Sequence, residues 1–273
     1  MPNQLRSEFY RLLHSRSLRL MGLVFGAFLV LFGIMTFTES PFSMGTVRGE
    51  QDGIPLINGF IGFSYESSEP SFWELAYTST AFSGLLWVVF MVLSTDVVAK
   101  EFQTGTIKLS VAHGQNIYKI YLCKWVATIC VLGVMHYVYS AITSAVTFAY
   151  NGVVPSGEEL AQLLALVSFH FLVMAVLTAI CFTLYVITDS TVAVLAVIPI
   201  FMFSSVFVTA IYGDDRNLLA ETYLNINPMY HLSQASRFWA EGEVIYSTTL
   251  FGVIGIPVLL ILSYLLLRRR ELK

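Results

Sequence analysis

Six stretches of apolar residues, each long enough to cross a bilayer, decide what this chain can fold into. They run approximately over 18–37, 77–98, 121–150, 160–187, 192–212 and 248–267. A helix needs about 20 apolar residues to span a hydrocarbon core of roughly 30 Å. Lipid supplies no hydrogen bonds, so each such segment must satisfy its own backbone, and a lone span does this as a helix. The stretches are continuously apolar rather than two-periodic, which excludes a barrel of alternating strands. Composition agrees: 56% of the 273 residues are hydrophobic and 12% are charged, against about 25% charged in a soluble domain. The expected fold class is therefore all-α, a polytopic membrane protein with six transmembrane helices, forming one domain over 1–273.

Lys and Arg placement gives an orientation. Arg6, Arg11, Arg16 and Arg19 precede the first span. Lys100, Lys108, Lys119 and Lys124 lie around the loop after the second, and Arg268, Arg269, Arg270 and Lys273 follow the sixth. These regions hold 12 of the 15 basic residues. The positive-inside rule then sets both termini in the cytoplasm. The opposite side keeps Arg48, Arg216 and Arg237 and is rich in Asp and Glu. The first apolar stretch is as long as a full span, so it reads as a membrane helix rather than a cleaved signal. Cys123, Cys130 and Cys181 form no CxxC pair, which points to packed thiols and to neither a disulfide framework nor a metal site.

Ahead of the first span, Leu5, Phe9, Leu12 and Leu13 fall within an arc of about 100° at helical spacing. This predicts an amphipathic amino-terminal helix lying on the cytoplasmic surface. Two outer segments, about 38–76 and 213–247, are long. The first has a turn signal at Asp52-Gly53. The second has Asn227-Pro228, a helix-start signal, which predicts a short helix at the outer lipid interface beside Trp239.

The loop between spans two and three is the most informative segment. It runs from Asp96 through Lys100-Glu101 and Thr104-Gly105-Thr106 to Tyr118-Lys119-Ile120-Tyr121-Leu122-Cys123-Lys124. It is too polar for lipid and, at about 25 residues, far longer than a usual connection of 4–6. Ile107, Leu109 and Val111 are apolar in a region expected to face cytosol, as a docking surface for another protein would be. Glu101, the Gly105-Thr106 step and the Lys-containing run into span three resemble the ABC-2 type permease family, as does the Arg268–Glu271 tail. That resemblance implies six spans with both termini inside, an amphipathic leading helix and an outer segment between spans five and six. It also implies that the loop docks on a separate ATP-binding-cassette ATPase, with Glu101, Gly105, Thr106 and Lys108 as docking or loop-shaping residues. Two ATPase copies would bind ATP and Mg, and a second permease copy, identical or homologous, would complete the assembly.

The chain itself has no G-x-x-x-x-G-K-[ST] phosphate loop, so it needs that partner. It has no H-E-x-x-H and no G-x-S-x-G, which disfavours an intramembrane enzyme. No cofactor and no nucleic-acid partner are indicated for it. The expected function is the permease subunit of an exporter in a bacterial plasma membrane. The cargo would be amphipathic, with a lean toward antimicrobial peptide or drug export or self-protection. The alternative is an ion-coupled secondary transporter. His136 and His170, deep in spans three and four, with Thr78 and Ser83 in span two, are the candidates for a cargo path. For a lone membrane His the bland reading, a neutral imidazole bonded to a neighbouring helix, is the stronger one. Asp96 and Asp189 read as span-boundary residues, and Glu158-Glu159 as a helix start.

Overall fold

The computed structural model describes residues 2–38, 43–51, 54–62, 72–80, 86–212, 217–234 and 242–271. The protein is predominantly helical. A short helix α1 (Pro2–Leu13) leads into α2 (Arg16–Phe37), and an antiparallel ribbon of β1 (Ser43–Gln51) and β2 (Ile54–Gly62) follows. Next come α3 (Phe72–Thr80), α4 (Leu86–Gln103), α5 (Thr106–Ala112), α6 (Ile117–Tyr150) and α7 (Gly157–Thr188). The chain ends with α8 (Thr191–Tyr212), α9 (Leu218–Asn225), α10 (Pro228–Gln234) and α11 (Gly242–Glu271).

Among the described residues, five helices are long and apolar enough to cross a membrane: Arg16–Phe37, Ile117–Tyr150, Gly157–Thr188, Thr191–Thr209 and Tyr246–Arg269. They coincide with five of the six expected spans. The remaining stretch, 77–98, falls on α3 and α4, and residues 81–85 between them, with Ser83, lie outside the described residues. Asp96, Lys100 and Glu101 crowd the last turns of α4, so its apolar run is short. The ribbon was not legible in the sequence. Its pairing of Gln51 with Ile54 brackets the Asp52-Gly53 turn signal, although those two residues lie outside the described ones.

Helix α7 is the axis of the bundle. It is apolar on every face, as a helix surrounded by others must be, and 61% of its most apolar window is buried, against 11% for α2. Helices α4, α6, α8, α10 and α11 pack around it. Small hydroxyls bind neighbours between helices of the bundle, as polar side chains do between membrane helices. Ser94 donates to Thr178 (3.3 Å), Ser144 donates to Ser79 (3.1 Å), and Thr183 bonds Ser263 (2.8 Å). In contrast, Gly22 and Gly26 of the GxxxG in α2 have nothing within 4 Å of where a Cβ would stand.

The ends of the helices follow local rules. Ser156 and Glu159 form a reciprocal capping box at the start of α7, which accounts for the Glu pair. Asp189 ends α7 in a left-handed conformation (φ 52°) and is, as expected, a boundary residue. Gly152 (φ 65°) closes α6: Val153 N–H reaches Phe148 O (3.1 Å) and Gly152 N–H reaches Ala149 O (3.3 Å), a Schellman pair.

The segment between α8 and α11 differs from the expected interfacial helix. Pro228 does start α10, and the Asn227 side chain accepts the Met229 N–H (2.9 Å). However, Met229, His231 and Leu232 are buried, and α10 packs on α7 and α8. Asn227 Nδ2 donates to Phe201 O (2.6 Å), halfway along α8. The α9–α10 turn therefore dips back into the bundle. Non-helical backbone at that depth is tolerated because protein groups satisfy it. Trp239 lies outside the described residues.

The packing of α11 on α7 leads to a paired test. A Cβ on Gly252 would fall 2.3 Å from Leu172 Cγ, whereas one on Gly255 would meet Val176 at an ordinary 3.7 Å. Gly252→Ala should destabilise the protein by about 1–3 kcal/mol through overpacking, and Gly255→Ala should not. Thermal unfolding in detergent distinguishes the two.

Candidate functional site

The end of the bundle where α1, α4 and α6 meet holds a cluster of four charges: Glu101 and Lys124 are buried, Glu8 is half-buried and Arg11 is exposed. At 1.5 Å per residue the 34-residue α6 is about 51 Å long, against a core of roughly 30 Å. That length exceeds what one crossing needs, and Lys124 lies two turns from the start of the helix. Asn116 caps the helix by accepting the Tyr118 N–H (2.9 Å). Lys124 is held by Glu8 Oε2 (2.6 Å) from α1 and Glu101 Oε1 (3.1 Å) from α4. Arg11 donates to the same Glu101 oxygen and lies 3.7 Å from Glu8. The side chains of Lys124 and Glu101 are only 3% and 5% exposed, so each depends on its partners for the solvation it has lost.

The cluster fixes the amphipathic helix in place. Leu12 is buried, and Leu5 and Phe9 are half-buried. Ser15 breaks the chain between α1 and α2 and caps α2 by accepting the Leu18 N–H (3.1 Å). A second link is more exposed: Lys100 reaches Asp96 and Ser17, both at 2.6 Å. The apolar face of α1 thus turns toward α6 rather than wholly toward a membrane surface.

Glu101 accordingly points inward. Its neighbours on the loop form a short, sharply bounded element. Gly105 (φ 68°) separates α4 from α5, a conformation that costs an L-residue about 1–2 kcal/mol. Gly114 (φ 79°) ends α5, with Gln115 N–H on Ser110 O (3.1 Å) and Gly114 N–H on Val111 O (2.9 Å), a second Schellman pair. Of the apolar residues expected on a docking surface, Ile107 is buried in the core and Val111 packs against it. The side chains of Thr106, Lys108 and Leu109 lie outside the described residues.

The intramembrane candidates resolve differently. The ring of His136 is buried, with Nε2 bonded to Val167 O (3.1 Å) on α7 and the ring stacked near Phe171. It ties α6 to α7. His170 is half-buried on α7, and Thr78 is buried on α3. Of the four candidates, His136 and His170 lie on the packed helices α6 and α7 and Thr78 lies on α3, whereas Ser83 is outside the described residues. No group of three or more His, Cys, Asp and Glu suited to a metal occurs among those residues.

Sequence reasoning found Glu101 but missed its partners. The signal was present: Glu8 borders the Leu5–Leu12 arc of an amphipathic helix, and Lys124 sits seven residues into a long apolar one. A charge on an apolar face needs an opposite charge facing it.

The chain belongs to the family described as protein of unknown function (DUF2705), whose model matches residues 56–272. The matched stretch includes Glu101 and Lys124, whereas Glu8 and Arg11 precede it. No curated protein matches the chain.

Removing one partner of a buried pair leaves the other uncompensated. Lys124→Met should therefore cost about 3–5 kcal/mol. Glu101→Gln with Lys124→Met should cost less than the sum of the two single changes, since they share one interaction. Lys100→Ala, at an exposed pair, should cost at most about 1 kcal/mol. A double-mutant cycle by denaturant unfolding in micelles measures all of these.

Proposed function

We propose that this chain is the membrane-spanning permease subunit of an ATP-binding-cassette exporter of the ABC-2 type. On this reading α3 and α4 together form a second crossing, which makes six spans with both termini in the cytoplasm of a bacterial plasma membrane. Two permease copies, identical or homologous, work with two copies of a separate ATPase that binds ATP and Mg. The cargo is amphipathic, a peptide or drug among the candidates.

The observation that carries the reading is the connector between α4 and α6. It is a folded element, the single short helix α5 set between two left-handed glycines. Its two ends are attached to helices joined by Glu101 and Lys124. A solvated link has no need of such construction. A short helix on rigid supports is suited to receive a push from a docked ATPase and pass it to α4, α6 and α1 together. ATP-driven closure of the ATPase pair would shift the permease between inward and outward states only through different contacts in the two. The basic residues near α1, the α4–α6 connector and the end of α11 support the same orientation. The bond of His136 to Val167 O is what a packing role needs, and it supports the exporter reading over an ion-coupled alternative.

The docking role belongs to Gly105, Thr106 and Lys108, with Glu101 as the support beneath them. The tagged chain, purified from its native host in mild detergent, should bring down a stoichiometric soluble subunit bearing a Walker-type phosphate loop. Gly105→Val should lower the recovery of that subunit roughly tenfold, the effect of about 1–2 kcal/mol of backbone strain at the contact. Lys108→Glu should also weaken it, and neither change should alter the elution of the permease. A chain that emerges alone even after crosslinking, or variants that retain the ATPase fully, would overturn the reading.

A further inference from the structure

Helix α2 presents two unlike faces. Leu20, Leu23, Val30 and Ile34 fall within an arc of about 80° at helical spacing, and all four are exposed, Leu23 at 72%. Phe32 and Thr36 lie opposite and are buried. The open stripe over 20–30 is about 15 Å long, one leaflet's share of a core of roughly 30 Å. Arg16 and Arg19 stand on the same open face, just ahead of the stripe, and widen the arc only to about 100°. Both are exposed. Two guanidinium groups thus crown a strip of unpartnered apolar side chains.

Among the described residues these arginines have no counter-charge. Helices α4 and α6 pack against α1 and α2. Neither α2 nor α6 contains Asp or Glu. The acids of α1 and α4 are committed: Glu8 and Glu101 to Arg11 and Lys124, and Asp96 to Lys100. Arg6, Arg16 and Arg19 form no ion pair among the described residues. The elbow at Ser15 therefore carries three unpaired positive charges. On α1, Arg6 shares an exposed face with Tyr10 and Leu13, within an arc of about 60° and turned away from the buried Leu12. Arg beside exposed aromatic and aliphatic side chains is the makeup of a helix face at the level of lipid headgroups.

We infer that the α1–α2 elbow is a docking surface for anionic phospholipid, with the phosphate on Arg16 and Arg19, a neighbouring headgroup at Arg6, and an acyl chain laid along Leu20, Leu23 and Val30. Guanidinium groups pair phosphate oxygens bidentately, and each basic residue near the surface adds to the attraction for a headgroup of net negative charge. A zwitterionic headgroup brings its own cation and gains less. A second copy of the chain is a poor occupant, because a two-fold contact on this face would set Arg16 and Arg19 against the same charges. An acidic soluble protein could not follow the stripe into the bilayer. The inference needs only that the chain sits in a bilayer and is independent of the exporter reading.

The test uses the full chain in phosphatidylcholine nanodiscs, with phosphatidylglycerol carrying a diazirine in its acyl chain. After illumination, mass spectrometry locates the label. Labelling on 20–30 of α2 should saturate and be competed by unlabelled phosphatidylglycerol. Labelling of the open face of α8, at the exposed Ile200 and Phe207, should do neither, and phosphatidylcholine with the same diazirine chain should not saturate on α2. Arg16→Gln with Arg19→Gln should weaken the saturable binding roughly 30-fold, the loss of two charges near the surface. Arg16→Lys with Arg19→Lys keeps both charges and should retain most of it. Arg268→Gln with Arg269→Gln should leave it unchanged. Salt at about 1 M, where the screening length is about 3 Å, should weaken binding to the unaltered chain, a readout that needs no variant to fold.

Labelling of α2 that is equal for the two headgroups, indifferent to salt or unchanged in the Gln pair would overturn the site. An equal loss in the Arg268 and Arg269 variant would reduce it to the general charge of the leaflet and also overturn it. Disulfide pairing of two Leu23→Cys chains beyond that of the unaltered chain would show that a second copy covers the stripe, and displacement of the label by millimolar inorganic phosphate would reassign the arginines to a free anion. Either result overturns the lipid. Failure here leaves ATPase co-purification untouched, and loss of the ATPase leaves this labelling untouched.

Discussion

A polar group placed among apolar helices has no water to fall back on, so each must find a protein partner or be confined to a helix end. That constraint is visible at several irregular points among the described residues. Glu101 and Lys124 are buried because each is the other's solvent, with Glu8 and Arg11 completing the set. The α9–α10 turn enters the bundle because Asn227 spans two duties: its Oδ1 caps α10 and its Nδ2 satisfies Phe201 O. His231 is stable beside Phe251 because both ring nitrogens have neighbours. Where no partner was needed, as along α2, the surface is simply apolar and open.

Long apolar runs are decided locally, and they were legible. Five of the expected spans match helices within a few residues. Caps were legible for the same reason: Asn227-Pro228, the Glu158-Glu159 start and the Gly105 break are short-range chemistry. The candidate site was only half legible. Glu101 stood out, but its exposure did not, because burial depends on α1 folding back over α4 and α6. That contact joins residues 90 and 116 positions apart. Ile107 misled for the same reason: an apolar residue in a polar loop can face a partner protein or its own core, and periodicity cannot separate the two over seven residues. The β1–β2 ribbon was missed because Ser43–Gln51 lacks the β-branched, alternating pattern that marks a strand.

The strength of these contacts is uneven, and that unevenness says where the molecule can yield. The α1, α4 and α6 ends are joined by buried charges, and separating them would strand each charge in a poor solvent. The α4–α7 contact is held by Ser94 and Thr178 (3.3 Å) and by apolar packing such as Phe102 against Tyr185. Hydroxyl bonds between membrane helices contribute only about 0.6 kcal/mol on average and find replacements readily. A displacement delivered at α5 would therefore carry α1, α4 and the start of α6 as one body, and slip would occur at their boundary with α7.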